Sequence, residues 1–190
     1  MVGVVDRDKM HYTEAVMNEV WRLGNVLILP LPRQFSAPVK VAGFNIPKDA
    51  VYMTNIYSVH MDQQYWKDPE VFRNCHSNCR LKNPTPHILK SKGIKVKVHD
   101  DNFKNIPNRP ERFIVDGKFK SDERNIPFGI GKRRCIGESL ARMENFLIFA
   151  NMIKHFTFSQ APGSTLPDNR PDAGLTNGPQ AFNMKVETNT

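Results

Sequence analysis

The sequence is poor in cysteine and lacks a long apolar run. Its three cysteines are Cys75, Cys79 and Cys135. An odd and small number of cysteines without a secretory leader argues against a disulfide scaffold. The densest apolar run, Phe146 to Ile153, is too short to span a bilayer and is interrupted by Asn151. No basic region followed by an apolar stretch comes after Met1, so we expect neither a signal peptide nor a membrane-spanning segment here.

Acidic residues are fewer than basic ones, and most of the excess positive charge lies in one segment. The net charge is +8, and the segment from Arg73 to Asn108 holds eight lysines and arginines against two aspartates. That segment therefore accounts for +6 of the +8. Because the basicity belongs to one segment and not to a folded surface, we expect no nucleic-acid partner.

Two segments have helical periodicity and the rest favours short strands. Apolar residues at helical spacing predict a helix from Asp8 to Leu23, ended by Gly24 and Asn25. Its predicted apolar face holds Tyr12, Ala15, Val16, Val20 and Leu23. A second helix, predicted from Ile136 to Phe156, is apolar around most of its circumference and should be buried.

Between and after these helices the chain is rich in turn residues. Val26 to Met53 predicts short strands, with a hairpin near Gly43, and Val51 to Ile56 predicts a further strand. A surface turn with Asp68 extended before Pro69 is expected. Irregular coil from Glu111 to Gly131 and a closing strand within 181–187 complete a mainly α fold with small β-sheets, an α+β class.

The strongest chemical signal is the pattern F-x-x-G-x-R-x-C-x-G, from Phe128 through Gly131, Arg133 and Cys135 to Gly137. Glycines permit tight turns and close approach of a flat ligand. A thiol at a helix N-terminus, beside arginines, is favoured as the thiolate, which is a haem axial ligand. A buried core cysteine beside a solvated basic cluster is the alternative for a lone cysteine. The phosphate-loop spacing is absent.

This pattern resembles the haem-binding signature of cytochromes P450. Glu19-Val20-Trp21-Arg22 resembles the family's E-x-x-R, and Pro110-Glu111-Arg112-Phe113 resembles its P-E-R-F. An ordinary surface ion pair and a loop arginine are the alternatives for these two motifs taken singly. Their order along the chain strengthens the resemblance, which is to the animal microsomal members, and we expect an arthropod source.

The resemblance implies a haem b (iron protoporphyrin IX) site with Cys135 as the iron ligand. It implies that Arg33 and Arg133 contact the propionates, and that Phe128, Gly131 and Gly137 belong to the cofactor-binding loop. Glu19, Arg22 and Arg112 would form a structural triad. No catalytic residue is assigned.

Other positions carry less weight. Val26 to Leu31 and Gly174 to Thr176 resemble substrate-contacting segments. The basic residues Lys132, Arg134 and Arg142 resemble a surface for P450 reductase, with a solvated face as the alternative.

The family's activity is reductase-dependent insertion of oxygen into a small apolar substrate, at the cytosolic face of the endoplasmic reticulum membrane. Members are much longer than this chain, so an incomplete fold is expected, lacking the N-terminal membrane segment and the distal wall of the pocket. A catalytically inactive haem-binding fragment, or a truncated or mis-spliced product, is therefore the alternative.

The segment from Arg73 to Asn108 has no counterpart in the family pattern. Deleting it would leave D-P-E-V-F-R-P-E-R-F, the family's normal junction. We interpret it as a disordered insertion, either translated non-coding sequence or a tolerated loop. Zinc binding within it is a third hypothesis, resting on ligand-type residues at permissible spacing: Cys75, His76, Cys79, His87 and His99.

Overall fold

The computed structural model describes residues 1–72, 110–165, 172, 174 and 176–189. The predicted insertion and its potential zinc ligands lie outside the described residues. The helices are α1 (His11–Gly24), α2 (Ile56–His60), α3 (Gln63–Trp66) and α4 (Glu138–His155). The strands are β1 (Arg33–Gln34), β2 (Val39–Val41), β3 (Phe44–Ile46), β4 (Val51–Tyr52), β5 (Ile114–Val115), β6 (Lys118–Phe119), β7 (Phe156–Gln160) and β8 (Met184–Thr188). This arrangement matches the predicted α+β class.

Helix α1 ends where the sequence predicts. Asn25 follows it in the left-handed conformation, with φ of 39°, and its side chain accordingly caps the helix. A 3₁₀ turn, Val4–Lys9, precedes the helix, so the predicted start at Asp8 is wrong. The prediction that Val20 is buried is also wrong, because its side chain is 48% exposed. The buried face carries polar groups instead, since α1 packs against loops whose main-chain atoms need hydrogen-bond partners.

The strands form antiparallel pairs in the described part of the chain: β1 with β4, β2 with β3, β5 with β6, and β7 with β8. The predicted hairpin at Gly43 is confirmed, with positive φ at Ala42 and Gly43. The predicted strand to Ile56 is too long. Ile56 begins α2 because the side chain of Asn55 caps that helix, accepting the N–H of Ser58 at 3.0 Å.

The expected surface turn is present, with Lys67 and Asp68 exposed, but the prediction is wrong for Trp66 and for the backbone of Asp68. Trp66 ends α3, is buried, and donates its indole N–H to the carbonyl of Val59 at 2.7 Å. Asp68 has φ of +49° and is therefore not extended. The chain turns sharply here because burial of the indole ring against Phe113, with centroids 6.1 Å apart, draws the segment inward.

The expectation of coil from Glu111 is also incomplete, because β5 and β6 form a hairpin there. Its turn has positive φ at Asp116 and Gly117, which is the conformation that an Asp-Gly pair favours. Strand β7, which follows α4 directly, was not predicted either, and β8 begins later than the predicted closing strand.

Helix α4 packs one narrow stripe inward. Phe146 and Ala150 are buried in a cluster with Val2, Met10 and Met17. The prediction that the helix is buried is wrong for most of it: Leu140, Ile148 and Met152 are 54%, 59% and 43% exposed. These side chains form an apolar face open to solvent. Among the described residues, no helix is both long and apolar enough to cross a membrane.

Candidate functional site

The segment from Phe128 to Gly137, here called the cysteine loop, is closed by its own main chain. The N–H of Cys135 donates to the carbonyl of Phe128 at 2.9 Å, and the N–H of Arg134 donates to that of Gly131 at 3.2 Å. Gly129 and Gly131 have φ of 77° and 72°, which side chains disfavour. The backbone conformation therefore favours glycine at position 131. Gly137 has an ordinary φ of −84°, which other residues also adopt.

Cys135 lies at the start of α4, and its side chain is exposed. Its carbonyl accepts the N–H of Glu138 at 3.4 Å, and the carbonyl of Gly137 accepts that of Ala141 at 2.9 Å. Cys135 thus lies just before the N-terminus of α4, which is the positive end of the helix dipole. The thiol is accessible to a ligand on the side of the loop that faces solvent.

Two of the predicted site residues are joined directly. Arg33, at the start of β1, donates from Nη2 to the carbonyl of Arg133 at 2.8 Å. The bond ties strand β1 to the cysteine loop across 100 positions of sequence. It brings Arg33 to the main chain of Arg133, two residues before Cys135. Guanidinium groups suit carboxylates because they can bind them with two parallel hydrogen bonds.

The base of the cysteine loop is held by a stacked guanidinium. The Arg142 group lies 4.4 Å from the Trp21 ring centroid and 5.0 Å from that of Phe128. Trp21 and Phe128 meet edge to face at 5.8 Å, and Arg142 also pairs with Glu138 at 2.8 Å. Arg142 therefore joins α1, α4 and the loop, while Lys132 and Arg134 are exposed.

The predicted triad is present. Glu19 and Arg22 form a bidentate ion pair, with Nε to Oε2 at 2.8 Å and Nη2 to Oε1 at 2.9 Å. Both side chains are fully buried. Arg112 completes the group from farther away, with Nη1 at 3.9 Å from Glu19 Oε1.

The two arginines of the triad also bind main-chain carbonyls of the segment after α2. Arg22 donates to the carbonyls of His60 and Pro69, each at 2.7 Å. Arg112 donates to those of Lys67 and Asp68. The triad therefore fixes the path of the chain from the end of α2 to Pro69.

His60 is a functional candidate that the sequence reasoning missed. Its side chain is fully buried, its Nδ1 lies 2.8 Å from Asn25 Oδ1, and its Nε2 accepts the N–H of Ile126 at 2.9 Å. Burial, and next the charge of Arg22, lowers the pKa of His60 to about 4. A lone histidine in a short apolar stretch carries no signal of its own in the sequence.

The two segments predicted to contact substrate are linked through the residue that follows the second of them. Asn177, just after Thr176, donates its N–H to the carbonyl of Val26 at 2.9 Å and its side-chain amide to that of Asn25 at 3.2 Å. Leu175 lies outside the described residues. Within the described ranges no group of three or more His, Cys, Asp or Glu is placed to hold a metal ion.

Known proteins share this combination of motifs and fold. The sequence model of the family described as Cytochrome P450 matches residues 3–76 and 106–186. The chain belongs to the cytochrome P450 family. The part of this P450 chain between the two matched ranges falls within the segment interpreted as an insertion.

Mammalian and fish proteins illustrate how far the likeness extends. The P450 chain is 34% identical to rat cytochrome P450 2J3 over 156 residues, covering 82% of this chain and 24% of that protein. It is 35% identical to mouse cytochrome P450 2U1 over 185 residues, covering 97% of this chain and 28% of that protein. A zebrafish cytochrome P450 structure with abiraterone superposes with a TM-score of 0.72 at 26% identity, covering 98% of this chain and 36% of that chain.

These likenesses confirm the predicted family and fold. This P450 chain spans about a quarter of the length of the curated relatives it matches. Its residues fit a haem on the cysteine side: the thiol is exposed, Gly131 keeps the loop backbone compact, and Arg33 and Arg133 lie beside it.

Proposed function

We propose that this chain forms the cysteine side of a haem-thiolate monooxygenase, with Cys135 as the ligand to the haem iron. The observation that carries the proposal is the complete cysteine loop, closed on itself and presenting an exposed thiol at the start of α4. A buried thiol would favour the alternative of a core cysteine. The accessible one favours a ligand.

The remaining site residues have supporting roles in this proposal. Arg33 and Arg133 would bind the propionates of haem b, since both are guanidinium donors near the loop. Phe128, Gly131 and Gly137 would form the surface against which the ring packs. Glu19, Arg22 and Arg112 would not contact the group but would hold the segments that frame it.

Haem held by the Cys135 thiolate would supply oxygen activation, since a thiolate ligand favours O–O cleavage. The closed cysteine loop would orient the sulfur, and Arg33 and Arg133 would bind the carboxylates. We propose a small apolar substrate, contacted by Val26 to Leu31 and the chain near Thr176. We also propose NADPH-cytochrome P450 reductase as the electron donor, meeting the exposed Lys132 and Arg134.

The microsomal relatives support a location at the cytosolic face of the endoplasmic reticulum membrane. A haem-binding fragment without turnover is the second candidate. It is favoured by the exposed apolar face of α4.

Haem titration followed by assay with the reductase tests the proposal and separates the two candidates. We expect one haem per chain and, if the chain is an active enzyme, NADPH oxidation coupled to product formation with a small apolar substrate. Haem binding without turnover would leave the fragment as the function. Failure to bind haem, in a chain shown to be folded by circular dichroism, would overturn both.

A further inference from the structure

His60 lies between the triad and the cysteine loop. It is the last residue of α2, its side chain is fully buried, and it touches three separate parts of the fold. Its carbonyl accepts from Arg22, its Nδ1 faces Asn25, and its Nε2 faces the N–H of Ile126.

The neighbours of His60 fix where its proton sits. Asn25 uses its Nδ2 to donate to the carbonyl of Arg22 at 2.8 Å, so its Oδ1 is the atom that faces the ring and must receive a proton from Nδ1. The main-chain N–H of Ile126 can only donate, so Nε2 must be without a proton. The ring is therefore neutral, in the Nδ1–H form.

Ile126 connects His60 to the cysteine loop through main-chain hydrogen bonds. Its carbonyl accepts the N–H of Gly129 at 2.9 Å, closing the turn from which the loop departs. The next bond, from the N–H of Cys135 to the carbonyl of Phe128, closes the loop itself. Beside Ile126, the amide of Asn125 donates to the carbonyl of Asn18 at 3.1 Å, so the start of the turn is held on α1 as well.

We propose that His60 is a positioning residue for Cys135, which links the buried Glu19–Arg22 pair to the turn that orients the cysteine loop. The proposal rests on the proposed function, in that Cys135 is taken as the iron ligand. His60 touches neither the sulfur nor the haem side of the loop. Its effect is to keep the turn at Ile126 in one conformation, so that the thiolate is presented to the iron in one orientation.

A purely structural histidine would lower global stability without changing the loop selectively. The test therefore uses the full chain and compares His60→Phe, which keeps a ring but removes both hydrogen bonds, with His60→Gln, whose amide can donate to Asn25 and accept from Ile126. The control is a substitution of Ile56, a buried core residue of the same helix, to Val or Ala, whichever matches the stability loss of His60→Phe.

Two readouts are taken. Without haem, hydrogen exchange is measured at the main-chain amides of Ile126, Gly129 and Cys135, where we expect His60→Phe to accelerate exchange at least about tenfold relative to the Ile56 control. With haem, the thiolate-type fraction of the reduced carbon monoxide difference spectrum is measured. We expect it to fall in His60→Phe, to be unchanged in the control, and to be restored by His60→Gln.

Equal exchange and equal thiolate fractions in His60→Phe and the Ile56 control would overturn the proposal. If His60→Phe does not fold, Asn25→Gly replaces it, because glycine keeps the left-handed conformation of residue 25 while removing the acceptor that fixes the proton on Nδ1. An Asn25→Gly protein with wild-type loop exchange would contradict the proposal equally. A wild-type chain that binds haem without any thiolate-type band would instead refute the proposed function, even with the exchange result intact.

Discussion

Arg22 donates two hydrogen bonds to Glu19 in a part of the molecule that water does not reach. The distances are 2.8 and 2.9 Å, and neither side chain has any exposed surface. Two further donors of Arg22 bind the main-chain carbonyls of His60 and Pro69. A buried ion pair of this kind specifies one arrangement of the chain. It fixes which segments meet around α1.

Glu19→Gln should destabilise the chain strongly. It leaves the charge of Arg22 buried without a carboxylate, and removing one partner of a buried pair costs about 3–5 kcal/mol. Chemical denaturation would measure the free energy of unfolding. The matched control is Glu187→Gln, which removes an exposed pair with Lys185 at 2.8 Å and should change stability little. Equal effects of the two substitutions would contradict the role assigned to the triad.

Gly131→Ala should distort the cysteine loop, whereas Gly137→Ala should not. A side chain at the φ of 72° found at Gly131 costs about 1–2 kcal/mol. Gly137 has φ of −84°, and an added Cβ there would lie 3.8 Å from the Cys135 sulfur, an ordinary contact. Unfolding free energies of the two haem-free variants test this difference. A Gly137→Ala variant that loses as much stability as Gly131→Ala would refute the strain argument.

Stability should fall as the pH is lowered from about 6.5 toward 4. The pKa of His60 is about 4 in the folded chain against 6.5 for an unperturbed histidine, so between these values the unfolded state binds more protons. The contribution lost across this window is about 3 kcal/mol. Denaturation at a series of pH values would measure it. In His60→Gln this part of the slope should be missing, and an unchanged slope would show that other groups cause it.

Deleting residues 73–108 should leave the described fold intact. The two flanks are already held together, because Arg112 donates to the carbonyls of Lys67 and Asp68 while Trp66 packs against Phe113. Shortening the connection also lowers the entropy cost of closing it. We expect the deleted chain to unfold at an equal or higher denaturant concentration. Loss of cooperative unfolding would show that the segment contributes to the fold.

The cysteine loop and the triad could be predicted because their chemistry is local in sequence. The spacing of Phe128, Gly131 and Cys135 encodes a loop that closes on itself, and Glu19 and Arg22 are neighbours on one helix. The end of α1 was predictable for the same reason, since Asn25 adopts the left-handed conformation that ends helices.

The long-range partners could not be predicted. Nothing near Trp66 indicates that it is buried against Phe113, and the hydrogen bond from Arg33 to Arg133 joins distant parts of the chain. The exposure of α4 was mispredicted because periodicity reports which residues are apolar, and burial depends on what packs against them. His60 was missed since its tautomer and its partners exist only in the folded chain.

The central claim, that Cys135 ligates haem iron as a thiolate, is tested most directly by the reduced carbon monoxide difference spectrum of the purified, haem-loaded chain. We predict a thiolate-type Soret band for the wild type, its loss in Cys135→Ala, and its retention in Glu187→Gln, an exposed substitution outside the cysteine loop. A wild-type spectrum without that band, or one that Cys135→Ala leaves unchanged, would contradict the account.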